Sequence, residues 1–212
     1  MALIIDTETN GLPDITGLRW GEYPVYNDIN KYKTARIVQF TFMVCGTCFE
    51  EKELHDYVIK RDGFNIENSQ FHGITDDISD TDGRPFPEIA KIFSQNLSKV
   101  SHIVAHNIAF DINVIKAELF RYELHDIIEE LNKKQLLCTM KHTKPILKII
   151  NQYGRYKNPS LAELYEYNFM QPIENAHNSK YDVINLHKVV KHMYDRRTLN
   201  YRKRLIYTEH IC

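Results

Sequence analysis

An apolar run at the very start of the chain, Ala2-Leu3-Ile4-Ile5, ends in Asp6-Thr7-Glu8, and this junction constrains the fold more than any other stretch. A run this short reads as a buried strand. Residues two apart on a strand share a face, so Asp6 and Glu8 aim their carboxylates at one spot beside the core. Two such carboxylates repel unless a cation lies between them, and an all-oxygen ligand set selects Mg²⁺ or Mn²⁺. An Asp-x-Glu triplet alone is usually a solvated surface pair. The apolar run in front of it argues against that reading.

Two later segments supply further acids. Ser101-His102-Ile103-Val104-Ala105-His106-Asn107-Ile108-Ala109-Phe110-Asp111 reads as a strand running into a helix, with Phe110, Val114 and Ile115 as the buried face and Asn107 as N-cap. In the second segment Val183, Leu186, Val190 and Met193 recur at helical spacing, and Asp182 stands four residues before Leu186. A carboxylate beside a buried stripe needs a partner, and a metal ion would serve. His177 lies five residues before Asp182, about 140° away on an ideal helix. That offset places it on the loop entering the helix, free to swing over a metal.

Taken together, Asp6-Thr7-Glu8-Thr9-Asn10-Gly11-Leu12, Phe71-His72-Gly73-Ile74-Thr75, His106-Asn107-Ile108-Ala109-Phe110-Asp111 and His177-Asn178-Ser179-Lys180-Tyr181-Asp182 resemble the motifs of the DEDDh exonucleases, the DnaQ-like superfamily of 3′-to-5′ exonucleases. Ser160-Leu161-Ala162-Glu163-Leu164 is similar to the family's Ser-Leu-x-x-Leu helix, with Ser160 as its cap. The likeness runs over residues 1–194 in the family's order. Each motif is weak alone, and their number and order carry the case.

The resemblance implies an α/β fold, a ribonuclease H-like mixed sheet flanked by helices. It also implies that Asp6, Glu8, Asp111 and Asp182 bind two Mg²⁺ (or Mn²⁺) ions roughly 4 Å apart, one activating water and the other stabilising the leaving 3′ oxygen. His177 would be the general base, since an imidazole titrating near ~6.5 suits proton transfer at neutral pH. Thr9 and Leu12 would contact the terminal nucleotide, with Leu12 wedged against its base, and His72, His106 and Phe110 would line the pocket. The sequence departs from the pattern at Asn10, where a second Thr is common, and at Val183, where Ala is frequent. Neither departure removes a ligand. The expected substrates are single-stranded DNA or RNA 3′ ends, and the sequence does not choose between them. A proofreading or RNA-trimming subunit, a homodimer or polymerase/replication partner, and an inactive nucleic-acid-binding module remain alternatives.

Composition permits this reading without demanding it. The 212 residues, 43% hydrophobic and 26% charged, suffice for one well-buried domain. No stretch has the length and apolarity of a signal peptide or a membrane span, so a cytoplasmic or nuclear location with reduced cysteines is expected. Net charge is −1, which excludes a uniformly basic nucleic-acid coat and leaves local patches to be weighed.

Residues 1–194 are assigned to the catalytic domain and 195–212 to a basic tail. From residue 188 to 204 the chain carries Lys188, Lys191, Arg196, Arg197, Arg202, Lys203 and Arg204 against the single acid Asp195. That stretch could grip phosphates or a partner, or be a solvated helix end with a favourable charge bias. A long loop over residues 13–35 interleaves Arg19, Trp20, Tyr23, Tyr26, Lys31, Tyr32 and Lys33. Its aromatics could stack on unpaired bases or pack as a satellite cluster on the domain. Coarse patterning predicts strands at 2–8, 36–45, 48–58 and 101–106, helices at 86–98 and 109–122, and two final helices. Cys45-Gly46-Thr47-Cys48 has zinc-like spacing but no second pair, and reads as a hairpin with Gly46-Thr47 as a two-residue turn. Asp80-Thr81-Asp82-Gly83 lacks the distal Glu of a calcium loop and reads as a turn before the helix that Pro87 helps to start.

Overall fold

The computed structural model describes residues 1–19, 21–174 and 178–199. The apolar opening forms β1 (Ala2–Thr9), the middle strand of a five-stranded sheet. It pairs antiparallel with β2 (Ile37–Cys45), which pairs antiparallel with the edge strand β3 (Glu51–Val58). On its other side β1 pairs parallel with β4 (His102–Ala105), and β4 with β5 (Gln135–Cys138). The order β3-β2-β1-β4-β5 is the mixed sheet flanked by helices that the motif order implied.

Because β1 is central, both of its faces are covered: Ala2, Leu3, Ile4 and Ile5 are all fully buried. Leu3 and Ile5 look into a core shared with α3 (Phe86–Leu97), α4 (Ile108–Arg121) and α5 (His125–Asn132). Phe40, Phe42 and Phe93 form its aromatic centre, with ring centroids 5.0–5.4 Å apart. Ala2 and Ile4 look the other way, into a core built with α7 (Leu161–Phe169) and α8 (Ser179–Asp195). Val183, Leu186, Val190 and Met193 are the buried stripe of α8. Short helices α1 (Ser69–His72) and α2 (Asp76–Thr81) interrupt the connection from β3 to α3, and α6 (Thr139–Leu147) follows β5.

A buried ion pair ties α4 to the start of β2. Glu118, 2% exposed, accepts from Arg36 Nε at 2.6 Å and lies 2.9 Å from Arg121 Nη1. A carboxylate this deep is tolerable only when paired on this scale.

Ser160 caps α7 as expected: its hydroxyl accepts from Glu163 N, and the Glu163 side chain accepts from Ser160 N. Several details differ from the sequence expectations. The turn between β2 and β3 is not two residues long. β2 stops at Cys45, β3 starts at Glu51, and Gly46 N closes on Glu50 O at 2.9 Å around Phe49, whose φ is 59°. Phe49 is fully buried in the α8-side core, and burying that ring draws residues 48–50 out of the strand. Asn107 precedes α4 but does not cap it. Its backbone is left-handed (φ 68°, ψ 44°), and its side chain donates instead to Tyr23 Oη at 3.1 Å. Asp80 and Thr81 close α2 rather than forming the turn itself. β5 was not foreseen, because four residues give too short a pattern to separate from helix.

The long loop packs its tyrosines inward. Tyr32 is fully buried and donates to Pro24 O at 2.6 Å, Tyr26 meets Phe120 edge-on at 6.1 Å, and Tyr23 meets Phe110 edge-on at 6.0 Å. These three rings serve the satellite cluster. Trp20 lies outside the described residues.

Candidate active site

The three parallel strands β1, β4 and β5 end on the same edge of the sheet, the edge where open α/β sheets bind ligands. Pairing of Ile4 with Val104 and of Ala105 with Cys138 places Asp6, His106 and Thr139 level with one another just beyond the paired strands. Alternation along β1 turns Asp6 and Glu8 to the α8 side and Thr7 to the α4 side.

Asp182 arrives from the first turn of α8, and β2 fixes that turn. Gln39 and Thr41 stand opposite Glu8 and Asp6 in the register. Ser179 N donates to Gln39 Oε1 at 3.3 Å, and the Ser179 and Thr41 hydroxyls are 2.6 Å apart. Gln39 Nε2 and Thr41 Oγ1 both donate to Asp56 Oδ1 of β3, at 2.8 and 2.9 Å. A polar ladder across β2 and β3 therefore docks the helix start. Asp6, Glu8 and Asp182 consequently each bring one carboxylate oxygen within 4.8 Å of the others.

Asp111 approaches from the α4 side. It is 2% exposed, and Thr7 holds it by donating from both N and Oγ1 to Asp111 Oδ1, at 3.1 and 3.0 Å. It stands outside the group of three by oxygen distance but acts on them electrostatically. Asp6 is raised well above the usual carboxylate range by burial first, then by the charges of Asp111, Asp182 and Glu8. Burial, with Asp182 and Asp111 behind it, pushes Glu8 up to about 7. Asp111 is pushed up to about 7 by burial, against the Thr7 hydrogen bonds that favour its charged form. Four acids whose charges penalise one another form a donor set suited to divalent cations, which would relieve both burial and repulsion.

The other expected site residues fall as follows. Leu12 is 72% exposed at the exit of β1, where Thr34 Oγ1 donates to its carbonyl at 2.8 Å. Thr9 Oγ1 donates to Gly11 O at 2.7 Å and shapes the turn. His72 is buried, and its Nδ1 accepts from Ile74 N at 3.1 Å. His106 is held at both ring nitrogens, by Thr139 Oγ1 at 3.0 Å and Pro159 O at 2.9 Å. Phe110 is partly buried against Tyr23. His177 lies outside the described residues.

Three supporting residues escaped sequence reasoning. Thr7 interrupts the apolar face that Leu3 and Ile5 begin, and a polar residue there signals a buried partner, which is Asp111. Asn10, treated only as a turn residue, is buried and pins residues 65–68 beside β1. Its Oδ1 accepts from Glu67 N at 2.7 Å, its Nδ2 donates to Asn65 O at 3.0 Å, and its carbonyl accepts from Asn68 Nδ2. Tyr23 orients Asn107 from the long loop, a contact across 84 residues that no local pattern reveals.

A family model described as exonuclease matches residues 3–190 of the chain. No curated protein matches the sequence. Among solved structures, E. coli Exonuclease I in complex with a dA16 oligonucleotide is 18% identical with a TM-score of 0.69, over 93% of this chain and 41% of that one. Exonuclease I from Methylocaldum szegediense is 20% identical with a TM-score of 0.66, again over 93% and 41%. Exonuclease X in complex with 5′-overhanging duplex DNA is 18% identical with a TM-score of 0.59, over 94% of both chains. This chain thus spans about two fifths of the length of the Exonuclease I structures, and it shares their ribonuclease H-like fold.

Proposed function

Because the chain belongs to the exonuclease family, within the DEDDh, DnaQ-like superfamily, we propose that it removes nucleoside monophosphates one at a time from the 3′ ends of single-stranded DNA. The observation that carries this reading is the convergence of Asp6, Glu8 and Asp182 on one point at the carboxyl edge of the sheet, with Asp111 held behind them by Thr7. The single-stranded oligonucleotide in the E. coli Exonuclease I complex favours DNA as substrate. The 5′-overhanging duplex bound by Exonuclease X favours testing recessed 3′ ends as well.

Asp6, Glu8, Asp111 and Asp182 fit a pair of Mg²⁺ or Mn²⁺ ions by chemistry and by their mutual repulsion. Such ions, when bound, supply charge neutralisation at the scissile phosphate and lower the pKa of attacking water. The chain's own residues do the rest. The carboxylates fix where such ions would sit. Thr7 and the Gln39–Thr41–Ser179 ladder keep Asp111 and Asp182 from drifting. His177, two residues before α8, takes the proton of the attacking water. Leu12, exposed at the turn after β1, meets the terminal base.

Purified protein incubated with a 5′-labelled DNA oligonucleotide and Mg²⁺ or Mn²⁺ should yield a ladder shortened from the 3′ end, and EDTA should abolish it. An RNA strand of identical sequence should shorten more slowly. No shortening with either ion on either strand would leave a binding module in place of the enzyme.

A further inference from the structure

The connection from α6 to α7 carries a feature that the catalytic reading does not use. Residues 139–162 contain no Asp or Glu and hold Lys141, Lys144, Lys148, Arg155 and Lys157, in a protein whose net charge is −1. Within this stretch, residues 149–157 close into a small hairpin. Ile150 bridges to Tyr156, Asn151 N donates to Arg155 O at 2.8 Å, and Lys157 N donates to Ile149 O at 2.8 Å. The Asn151 side-chain oxygen accepts from Tyr153 N and Arg155 N, both at 3.0 Å, and Gly154 turns the tip at φ 73°. The backbone and one Asn define this hairpin without a core of its own.

Its side chains are therefore turned outward. Ile150 is 63% exposed, Tyr153 76% and Tyr156 49%. Lys148 and Arg155 are exposed and, among the described residues, make no ion pair, whereas Lys157 pairs with Glu163. Large exposed apolar side chains gathered in one place mark an interaction surface. Aromatics interleaved with unpaired cations match a single-stranded nucleic acid, whose bases stack while its phosphates are neutralised. Position strengthens the match. Pro159, three residues after Tyr156 and buried, accepts from His106 Nε2 at the carboxyl end of β4, level with Asp6. Three residues of extended chain reach at most about 11 Å, so the base of the hairpin is tethered close to the strand end that stands beside Asp6.

We propose that the hairpin of residues 149–157, with Lys148 just before it, is a second contact site for the substrate strand, upstream of the 3′ end, with Tyr153 and Tyr156 stacking on bases and Lys148 and Arg155 holding phosphates. The proposal rests on reading the acid cluster as a 3′-end nuclease site. The hairpin would lengthen the footprint on the strand without entering the chemistry. Short substrates that end before reaching it would gain nothing from it.

The test compares the wild type, Tyr153→Ala/Tyr156→Ala and Lys148→Glu/Arg155→Glu on 5′-fluorescein-labelled thymidine oligonucleotides of four and fifteen nucleotides. Anisotropy in EDTA gives affinity, and Mg²⁺ gives the rate of shortening. The tyrosine variant should bind the fifteen-mer more weakly by about thirty-fold or more, with two stacked bases lost. The charge-reversal variant should lose about 1.4 from the slope of log affinity against log salt, some 0.7 per phosphate contact. Both should shorten the four-mer at the wild-type rate, and because the altered residues are exposed, both should keep the wild-type melting temperature. Unchanged fifteen-mer affinity in both variants, or equal losses on the two lengths, would overturn the hairpin's role. Failure of the wild type to shorten any strand would overturn the nuclease reading instead, and the affinity comparison would still decide the strand contact.

Discussion

Metal-free protein should become less stable as the pH rises from about 4.5 to about 7, and Glu8 sets the scale. Its carboxyl titrates at about 7 in the fold in place of 4.5, through burial first and then the charges of Asp182 and Asp111. A carboxyl with a raised folded pKa holds its proton more tightly in the native state than in the unfolded chain. Its contribution is fully present below the unfolded pKa and is lost as the pH climbs through the folded one. At ~1.4 kcal/mol per pKa unit, reduced for Glu8's partial exposure, the loss is ~2 kcal/mol. In a domain of this size that moves the melting temperature by roughly 4–8 °C. Asp6 and Asp111 act in the same direction. His72 and His106 act in the opposite one: burial lowers their pKa values, so their contribution is lost as the pH falls. The wild-type profile is thus a composite, and the difference between wild type and Glu8→Gln isolates the carboxyl. Thermal melts in EDTA from pH 5 to 8 should show Glu8→Gln with the flatter profile, melting several degrees above wild type at pH 7.5. Excess Mg²⁺ should raise the wild type more than the variant. If Glu8→Gln melts at or below the wild type at pH 7.5, with a parallel profile, the repulsion argument fails.

Three further outcomes follow from the same geometry. His177→Ala should leave Mg²⁺ affinity nearly unchanged while lowering kcat by about 10²- to 10⁴-fold, and its rate should keep rising above neutral pH where the wild type levels off; a wild-type rate and profile would remove His177 as the base. Thr7→Val deletes the hydroxyl bond to Asp111 and should lower kcat with little change in KM, so a variant with wild-type turnover would show that the backbone bond suffices. Glu118→Ala strands Arg36 and Arg121 at the α4–β2 contact and should cost ~3–5 kcal/mol in urea unfolding, with a loss below ~1 kcal/mol showing that the two arginines find other partners.

The sequence made the sheet's centre legible because β1, β2 and β4 are apolar enough to be buried on both faces, and such runs are hard to mistake. It also made the site's acids legible, since an Asp or Glu abutting an apolar run costs free energy unless it has a task. What it hid were relations between distant segments. Thr7 to Asp111 spans 104 positions, Thr41 to Ser179 spans 138, and no window of local periodicity reaches so far. Asn107 is a good capping residue by type, but its backbone is left-handed rather than extended, so its side-chain oxygen does not reach the first amides of α4, while its Nδ2 donates to Tyr23 of the distant long loop. The β2–β3 turn was misread because the pull on Phe49 comes from α8, not from the turn.

A strand apolar on both faces carries no preference for which residue faces which side, because sliding it by one position still buries a hydrophobic side chain everywhere. Ala2–Ile5 is such a strand. Its register is therefore decided at its polar end, where Thr7 must meet Asp111 while Asp6 and Glu8 must not. The residues that prepare the site for cations thus also act as the indexing pin of the sheet. A substitution there made to silence the enzyme can unsettle the alignment of its central strand, and an inactive variant needs its strand register verified before its inactivity is read as chemistry alone.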